Sequence, residues 1–182
     1  VATTVCTGCA IGRYSNSTGA ISNTTCSICP HGKSAGVAGM SICSACTAGK
    51  YFHNALGTDC IDCPAGRYSL SAGYSACIES PAGKYVPNTG ATSATNCTFG
   101  KTSLASSSVC VDCAKGTYAS LLGQASCTPC RLGMYSTVLG ARNDSSCTNC
   151  AAGSYGVIVG ANSSSACGSC GAGTYSIATG SN

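Results

Sequence analysis

The chain has 182 residues, a formal net charge of +4 and only 8 % charged residues, and it contains 18 cysteines. Leu, Ile, Val and Phe account for just 26 of the 182 residues, which excludes a single large hydrophobic core. The small net charge excludes a highly charged disordered chain, so cross-links must replace the missing core. Such a framework predicts an extracellular or cell-surface protein, without nucleic acid as a partner. No apolar run reaches the length of a transmembrane segment.

Sixteen of the cysteines form Cys-x-x-Cys pairs, whereas Cys77 and Cys97 stand alone. A repeat that starts at the second cysteine of each pair, or at its equivalent, occurs ten times, and we number these repeats 1 to 10. A regular period of this kind is typical of a repeat array, so we predict one continuous array over residues 1–182, shaped as an elongated rod. The repeats start near Cys9, Cys29, Cys46, Cys63, Ser80, Cys97, Cys113, Cys130, Cys150 and Cys170.

Each repeat contains a glycine three residues after its start, which we call the turn glycine, and eight repeats contain a loop glycine ten residues after the start. Eight repeats also have a tyrosine two residues after the turn glycine. The pattern predicts a turn at each glycine and a short strand at the Tyr-Ser step, with each tyrosine packed on a disulfide or on a neighbouring repeat. The predicted fold is therefore all-β or irregular, small and disulfide-rich, with ten short hairpin-like repeats and a ladder of disulfides.

Two substitutions in the middle of the array indicate how the cysteines pair. Repeat 5 starts with Ser80, and Ala94 replaces the first cysteine of the following pair. These positions are 14 residues apart, the separation that also relates Cys29 to Cys43. The simplest cause of a joint loss is that the missing cysteines were partners, since a single loss would leave a reactive thiol. The predicted disulfides are Cys9–Cys26, Cys29–Cys43, Cys46–Cys60, Cys63–Cys77, Cys97–Cys110, Cys113–Cys127, Cys130–Cys147 and Cys150–Cys167.

Zinc binding is the main alternative to this pairing. Two Cys-x-x-Cys pairs separated by about 16 residues fit a four-thiolate zinc site, and a redox-active pair is a further alternative. Loss of a zinc site would remove a whole pair, whereas here each of two neighbouring pairs keeps one cysteine. His31 and His53 have no regular place in the repeat and are predicted surface residues. No constellation of catalytic residues is evident, so we predict no cofactor, no metal and no enzymatic activity.

The predicted ladder leaves Cys6 and Cys170 without partners, one near each end of the chain. If a second copy followed Asn182, Cys170 would precede its Cys6 by 18 residues, close to the 17 that separate Cys9 from Cys26. We therefore predict a Cys170–Cys6 disulfide between successive copies, with residues 1–6 of the following copy completing repeat 10. A contact of this kind that does not close makes a filament. The alternative is a segment of a long array that does not polymerise.

The surface carries two further patterns. The longer repeats, 1, 8 and 9, each have three extra residues after the loop glycine, and each of those stretches contains a sequon for N-glycosylation. The residue after the turn glycine is basic in repeats 1 to 6, either to guard an exposed strand edge or to dock acidic polysaccharide. The five sequons predict N-glycosylation at Asn16, Asn23, Asn96, Asn143 and Asn162. The basic residues are Arg13, Lys33, Lys50, Arg67, Lys84 and Lys101.

The segment from Cys60 to Cys77, CIDCPAGRYSLSAGYSAC, resembles the ephrin-receptor-like cysteine-rich repeat, a module of receptors and of very large surface proteins of protists and algae. The resemblance covers the whole chain and implies an extracellular, disulfide-stapled rod whose bonds run from the second cysteine of one pair to the first of the next. We predict a structural glycoprotein that is the repeat subunit of a fibre or surface filament, assembled head to tail and in contact with further copies laterally. The alternatives are the stalk of a receptor or adhesin, and a protist surface antigen.

Overall fold

A computed structural model describes residues 5–53 and 58–182 of the chain. The backbone forms two compact bodies. The N-terminal body comprises Val1–Glu79 and Val86–Ala94, and the C-terminal body comprises Ser80–Tyr85 and Thr95–Asn182. Small antiparallel hairpins and disulfides make up each body, which confirms the predicted small, disulfide-rich, all-β fold class. Among the described residues, no helix is long and apolar enough to cross a membrane.

Every hairpin pairs a strand near the tyrosine position with the residues just before the next repeat start. The first strand includes the residue before the tyrosine rather than the predicted Tyr-Ser step, because the residue after the tyrosine bonds to other repeats instead. The hairpins of the N-terminal body are β1 (Arg13–Tyr14) with β2 (Ser27–Ile28), β3 (Lys33–Ser34) with β4 (Ser44–Ala45), β5 (Lys50–Tyr51) with β6 (Ile61–Asp62), and β7 (Arg67–Tyr68) with β8 (Ile78–Glu79).

The C-terminal body repeats the same arrangement. Its hairpins are β9 (Lys84–Tyr85) with β10 (Thr95–Asn96), β11 (Lys101–Thr102) with β12 (Val111–Asp112), β13 (Thr117–Tyr118) with β14 (Thr128–Pro129), β15 (Met134–Tyr135) with β16 (Thr148–Asn149), and β17 (Ser154–Gly156) with β18 (Cys167–Ser169). The long repeats 1, 8 and 9 place a short 3₁₀ helix before the closing cysteine, in the stretch that contains their extra residues. These helices are Asn23–Thr25, Asp144–Ser146 and Ser164–Ala166.

The turn that opens each hairpin explains why the turn glycine occurs in all ten repeats. In repeat 3 the Lys50 N–H donates to the Thr47 carbonyl at 3.1 Å, and Gly49 between them has a φ of +83°. A type II turn requires a positive φ at its third residue, which glycine adopts without steric cost. The loop glycine positions also have positive φ, and in repeat 6 Ser106 takes that conformation with a φ of 58°.

The core of each body is a row of small side chains rather than large apolar ones. The residue six positions after the repeat start, which we call the central residue, is 0–2 % exposed in repeats 2 to 8. The cysteine that starts a repeat lies beside it and is buried in repeats 2 to 4 and 6 to 9. The central residues are Ser15, Ala35, Phe52, Ser69, Val86, Ser103, Ala119, Ser136, Gly156 and Ser176.

Eight disulfides form a ladder, with one bond inside each of repeats 1 to 4 and 6 to 9. Their Cα–Cα distances are between 5.5 and 5.8 Å, within the usual range for this bond. Each closes a loop of 13 to 17 residues, which the chain-entropy model values at about 3 kcal/mol. The disulfides therefore supply the stability that the small side chains of the core cannot.

Candidate functional site

The candidate site is the interface between adjacent repeats, which three recurrent backbone hydrogen bonds build. The turn glycine N–H donates to the carbonyl of the next central residue, as Gly116 does to Ser136 at 2.8 Å. The Ser136 N–H in turn donates to the Ala161 carbonyl at 2.9 Å, and the Gly160 N–H donates back to the Cys130 carbonyl at 2.8 Å. The same three bonds join repeats 3, 4 and 5 within the N-terminal body. A repeat that makes these bonds thus presents one set of groups to the repeat before it and a different, complementary set to the repeat after it.

A close backbone approach between repeats n and n+2 tightens this interface. The turn glycine packs its Cα against the carbonyl of the loop glycine two repeats further on. A methyl group on Gly133 would lie 2.5 Å from the carbonyl carbon of Gly180, far inside the ordinary carbon–carbon contact of about 3.5–4.0 Å. At Gly153 and Gly173 the same methyl group would meet nothing within 4 Å. Among the described residues, no later backbone covers the turn glycines of repeats 9 and 10.

Six of repeats 1 to 8 have a tyrosine at this position, and each of these tyrosines is half-buried. The tyrosines of repeats 9 and 10 are more exposed. The ring of Tyr155 lies against the backbone of Gly168 on the paired strand: a methyl group there would be 3.3 Å from the ring. Tyr155 is 41 % exposed and Tyr175 is 84 % exposed. Packing on the backbone of a hairpin partner is thus one role of this position, and Tyr175 has no such partner among the described residues.

The structure brings together all eight of the cysteine pairs anticipated above. The isolated cysteines Cys77 and Cys97 bond to Cys63 and Cys110. Ser80 is as buried as the cysteines that start other repeats, at 0 % exposure, and its hydroxyl donates to the Ser107 carbonyl at 3.4 Å. A hydroxyl thus replaces a half-cystine without leaving an unsatisfied buried group. In the described residues Cys6 and Cys170 are free thiols, exposed and partly exposed respectively.

The sequon asparagines all lie at exposed positions. Those of the long repeats sit at the 3₁₀ helices: Asn23 is the first residue of its helix and Asn143 is the N-cap of another. The Asn143 Oδ1 accepts a hydrogen bond from Ser145 at 2.6 Å. Asn96 differs, because its side chain packs against the backbone of Gly123 in a later repeat. Four sequons therefore point into open solvent, and Asn96 has a neighbour within the array.

The row of basic residues is partly neutralised by acids across the hairpins. Lys50 pairs with Asp62 at 2.7 Å, Arg67 with Glu79 at 2.6 Å, and Lys101 with Asp112 at 2.7 Å. Each pair joins directly opposed residues of its two strands. These pairs were not predicted from the sequence, although opposing the residues of each hairpin would have brought them together. Three basic residues of the row, Arg13, Lys33 and Lys84, have no acidic partner among the described residues.

His31 and His53, which were predicted to be surface residues, also face each other across adjacent repeats. Both are exposed, and their ring centroids lie 5.4 Å apart with the planes tilted by 32°. The sequence offered no signal for this contact, since the two histidines occupy different positions of their repeats. Within the described part of the chain, no group of three or more His, Cys, Asp or Glu side chains is arranged to hold a metal ion.

Comparison with known families identifies the repeat. The family model described as tyrosine-protein kinase ephrin type A/B receptor-like matches residues 49–97 and 100–147. Together these matches cover more than half of the chain. No curated protein matches it.

Proposed function

The chain belongs to the ephrin type A/B receptor-like family of cysteine-rich repeats, and from this membership we propose that it is an extracellular structural glycoprotein assembled head to tail into a fibre or surface filament. The observation that carries the proposal is the directional interface between repeats. A repeat presents its turn-glycine and central N–H groups and its first carbonyl to the repeat after it, and a different set, two carbonyls and the loop-glycine N–H, to the repeat before it. The contact is therefore heterologous, and a heterologous contact that does not close adds further repeats in a filament. Such a protein is a non-catalytic scaffold.

The extracellular location is supported by the disulfides. Cytosolic reductants keep most thiols reduced, whereas secreted chains retain their disulfides. Covalent glycans at Asn16, Asn23, Asn143 and Asn162 would coat the exposed edge of the repeats, and Asn96 would add a fifth site beside Gly123. A sugar-coated surface suits a protein whose repeats carry exposed apolar side chains, because bulky glycans limit aggregation.

We propose that a disulfide between Cys170 and Cys6 of the next copy covalently seals each junction. Both thiols are free in the described residues, and Cys6 is exposed. The two thiols lose two protons and two electrons in forming the bond, and a small-molecule disulfide that accepts them is reduced to two thiols. The bond would continue the ladder with the same second-to-next-first connectivity.

Two other functions remain candidates. A receptor or adhesin stalk, or a protist surface antigen, would use the same repeats as a spacer, and the receptor-like family favours the stalk. Acidic polysaccharide is a further candidate partner, supported by Arg13, Lys33 and Lys84, whose charges no carboxylate neutralises among the described residues. Binding to an anionic glycan that weakens as salt increases would support that partner.

Negative-stain electron microscopy of the purified chain tests the proposed function. After oxidation we expect long fibres of uniform width, and a ladder of covalent multimers on a non-reducing gel. A Cys6→Ser variant should form no covalent multimers, whereas a Ser17→Ala variant nearby should behave like the unaltered chain. Particles that stay discrete and monomeric in every oxidising condition would contradict head-to-tail assembly and favour a stalk.

A further inference from the structure

The chain contains only two histidines, and the stacking of repeats 2 and 3 brings them together. His31 precedes the turn glycine Gly32, and His53 follows the central residue Phe52. The Gly32 N–H donates to the Phe52 carbonyl at 2.9 Å, which is the recurrent bond between a turn glycine and the next central residue. Each histidine is thus the chain neighbour of one end of a hydrogen bond that joins the two repeats. The backbone therefore holds the two side chains at a short separation.

The backbone on both sides of this hydrogen bond is well packed. Phe52 is 2 % exposed, and its N–H donates to the Tyr74 carbonyl at 3.1 Å. A methyl group on Gly32 would clash with the carbonyl of Gly73, so the turn of repeat 2 is in close contact with repeat 4. A disulfide closes each of repeats 2 and 3. Two ligands on a backbone that is already ordered lose little conformational entropy when they bind an ion.

The distance between the two rings matches that of two imidazoles on one metal ion. The ring centroids lie 5.4 Å apart, with the planes tilted by 32°. The metal–nitrogen bond of a tetrahedral zinc site is about 2.0–2.1 Å, which places the centroids of two imidazoles on one ion about 5 Å apart. Both side chains are exposed, so a hydrated ion can reach them. A change in χ2, which is a soft torsion in histidine, turns a ring nitrogen toward the ion without moving the backbone.

The chemistry of the two side chains indicates which ions they would bind. Imidazole suits Zn²⁺, Cu²⁺ and Ni²⁺, whereas Ca²⁺ and Mg²⁺ take oxygen ligands. A ring separation close to the tetrahedral value favours Zn²⁺ among the first three. Within the described part of the chain, no third His, Cys, Asp or Glu side chain joins this pair. The protein would therefore supply two ligands, and water would complete the coordination.

We infer that His31 and His53 form a two-histidine site for a divalent transition-metal ion, with Zn²⁺ as the preferred ion. The site differs from the cysteine-based zinc sites considered for this sequence, because it uses no thiolate. It also goes beyond the proposed structural role, since it requires only repeats 2 and 3 of a single chain. The disulfides each lie within one repeat, whereas the ion would link two repeats and stabilise their stacking.

Titration calorimetry with zinc chloride tests the site in a Cys6→Ser, Cys170→Ser chain, because free thiolates would also bind zinc. We expect one ion per chain. His31→Ala and His53→Ala should each weaken binding at least about ten-fold, and the double variant should be weaker by no more than about two-fold again, since the two ligands act as one unit. The matched control combines His31→Ala with Val37→His in the same repeat. Val37 is 64 % exposed, so this chain keeps two histidines but should bind as weakly as His31→Ala alone.

A second chain variant tests whether the backbone bond sets the spacing. In the C-terminal body the Gly100 N–H donates to the Ala119 carbonyl at 2.9 Å. The residues that flank this bond in the same way, Phe99 and Ser120, are both exposed. Phe99→His together with Ser120→His should therefore increase the stoichiometry to two zinc ions per chain. Phe99→His alone should leave it at one.

Several results would overturn the inference. Two independent ions per unaltered chain, or a relocated histidine that binds as tightly as the original pair, would show that the histidines do not share an ion. An unaltered chain that takes up no zinc would show that there is no site, and one ion in the Phe99, Ser120 double variant would refute the role of the backbone bond. Non-reducing peptide mapping should find all eight disulfides in every variant, so that a loss of affinity reports the ligands. None of these results bears on head-to-tail assembly.

Discussion

The turn glycines offer a matched pair of substitutions that isolates the packing between repeats n and n+2. Gly133 and Gly153 both start hairpins of the C-terminal body and have φ values of +72° and +81°. A methyl group at Gly153 meets nothing within 4 Å, whereas at Gly133 it would lie 2.5 Å from the carbonyl carbon of Gly180 and 2.9 Å from the Ser181 carbonyl oxygen. The two Gly→Ala variants therefore share the backbone cost and differ in the steric cost.

The backbone cost is about 1–2 kcal/mol for an L residue in the left-handed region, and the lower entropy of the unfolded chain offsets about 0.4–1 kcal/mol of it. Gly153→Ala should thus lose about 1 kcal/mol. Gly133→Ala must also move the Gly180 segment by about 1 Å to restore normal contact. That shift breaks or strains the 2.9 Å bonds from Gly180 to Cys150 and from Gly156 to Ser181, each worth about 0.5–1.5 kcal/mol. Its total loss should be about 2–4 kcal/mol.

Thermal unfolding of the dispersed, fully oxidised chain measures the difference. For a chain of this length 1 kcal/mol corresponds to about 2–4 °C in Tm, so we expect a decrease of about 3 °C for Gly153→Ala and about 9 °C for Gly133→Ala. The measurement requires single chains, because docking of a second copy would cover Gly153. Equal decreases for the two variants would refute the reasoning, since the backbone conformation alone would then explain both.

Three further predictions concern the core, the ion pairs and the glycans. Ala119→Leu should overpack a central residue that is fully buried and lower Tm by at least about 3 °C, whereas Leu121→Ala on the exposed loop should leave Tm within about 1 °C; similar effects would contradict the assignment of the core. Lys101→Ala removes a half-exposed pair with Asp112, so the free energy of unfolding should fall by less than about 1 kcal/mol, and the loss should shrink in high salt; a larger, salt-independent loss would point to packing. Mass spectrometry of the secreted protein after deglycosylation in heavy-oxygen water should mark Asn16, Asn23, Asn143 and Asn162 at higher occupancy than Asn96; a fully occupied Asn96 beside unmodified long repeats would reverse that order.

The features of the fold that depend on residues within a single repeat could be predicted from the sequence. A glycine that requires positive φ marks its turn without reference to other repeats, and the joint loss represented by Ser80 and Ala94 indicated which cysteines face each other. The first strand of the hairpin, by contrast, begins one residue before the predicted Tyr-Ser step. The backbone N–H of the central residue donates to a neighbouring repeat, as Ser69 does to the Ala91 carbonyl, instead of pairing within its own hairpin. The sequence of a single repeat gives no sign of that bond.

What could not be predicted depends on contacts between repeats. The central residues include serine, alanine, valine and phenylalanine, so no hydrophobic period identifies them, although their backbone position makes them the core. The contact between His31 and His53 has the same origin, because it depends on how two successive repeats stack. The ion pair between Lys50 and Asp62 could have been predicted from the sequence, since a hairpin that begins after Gly49 and ends before Cys63 opposes those two residues.

The most direct test of head-to-tail assembly is peptide mapping of fibres grown from an equal mixture of ¹⁴N- and ¹⁵N-labelled chains, digested without reduction. We predict a disulfide-linked peptide that joins Cys170 to Cys6 and contains one light and one heavy half in about half of its molecules, because each junction draws its two copies at random. The other bonds should run from the second cysteine of one pair to the first of the next and contain a single label. Free Cys6 and Cys170 thiols in intact fibres, or a Cys170–Cys6 peptide that never mixes labels, would contradict assembly through this junction.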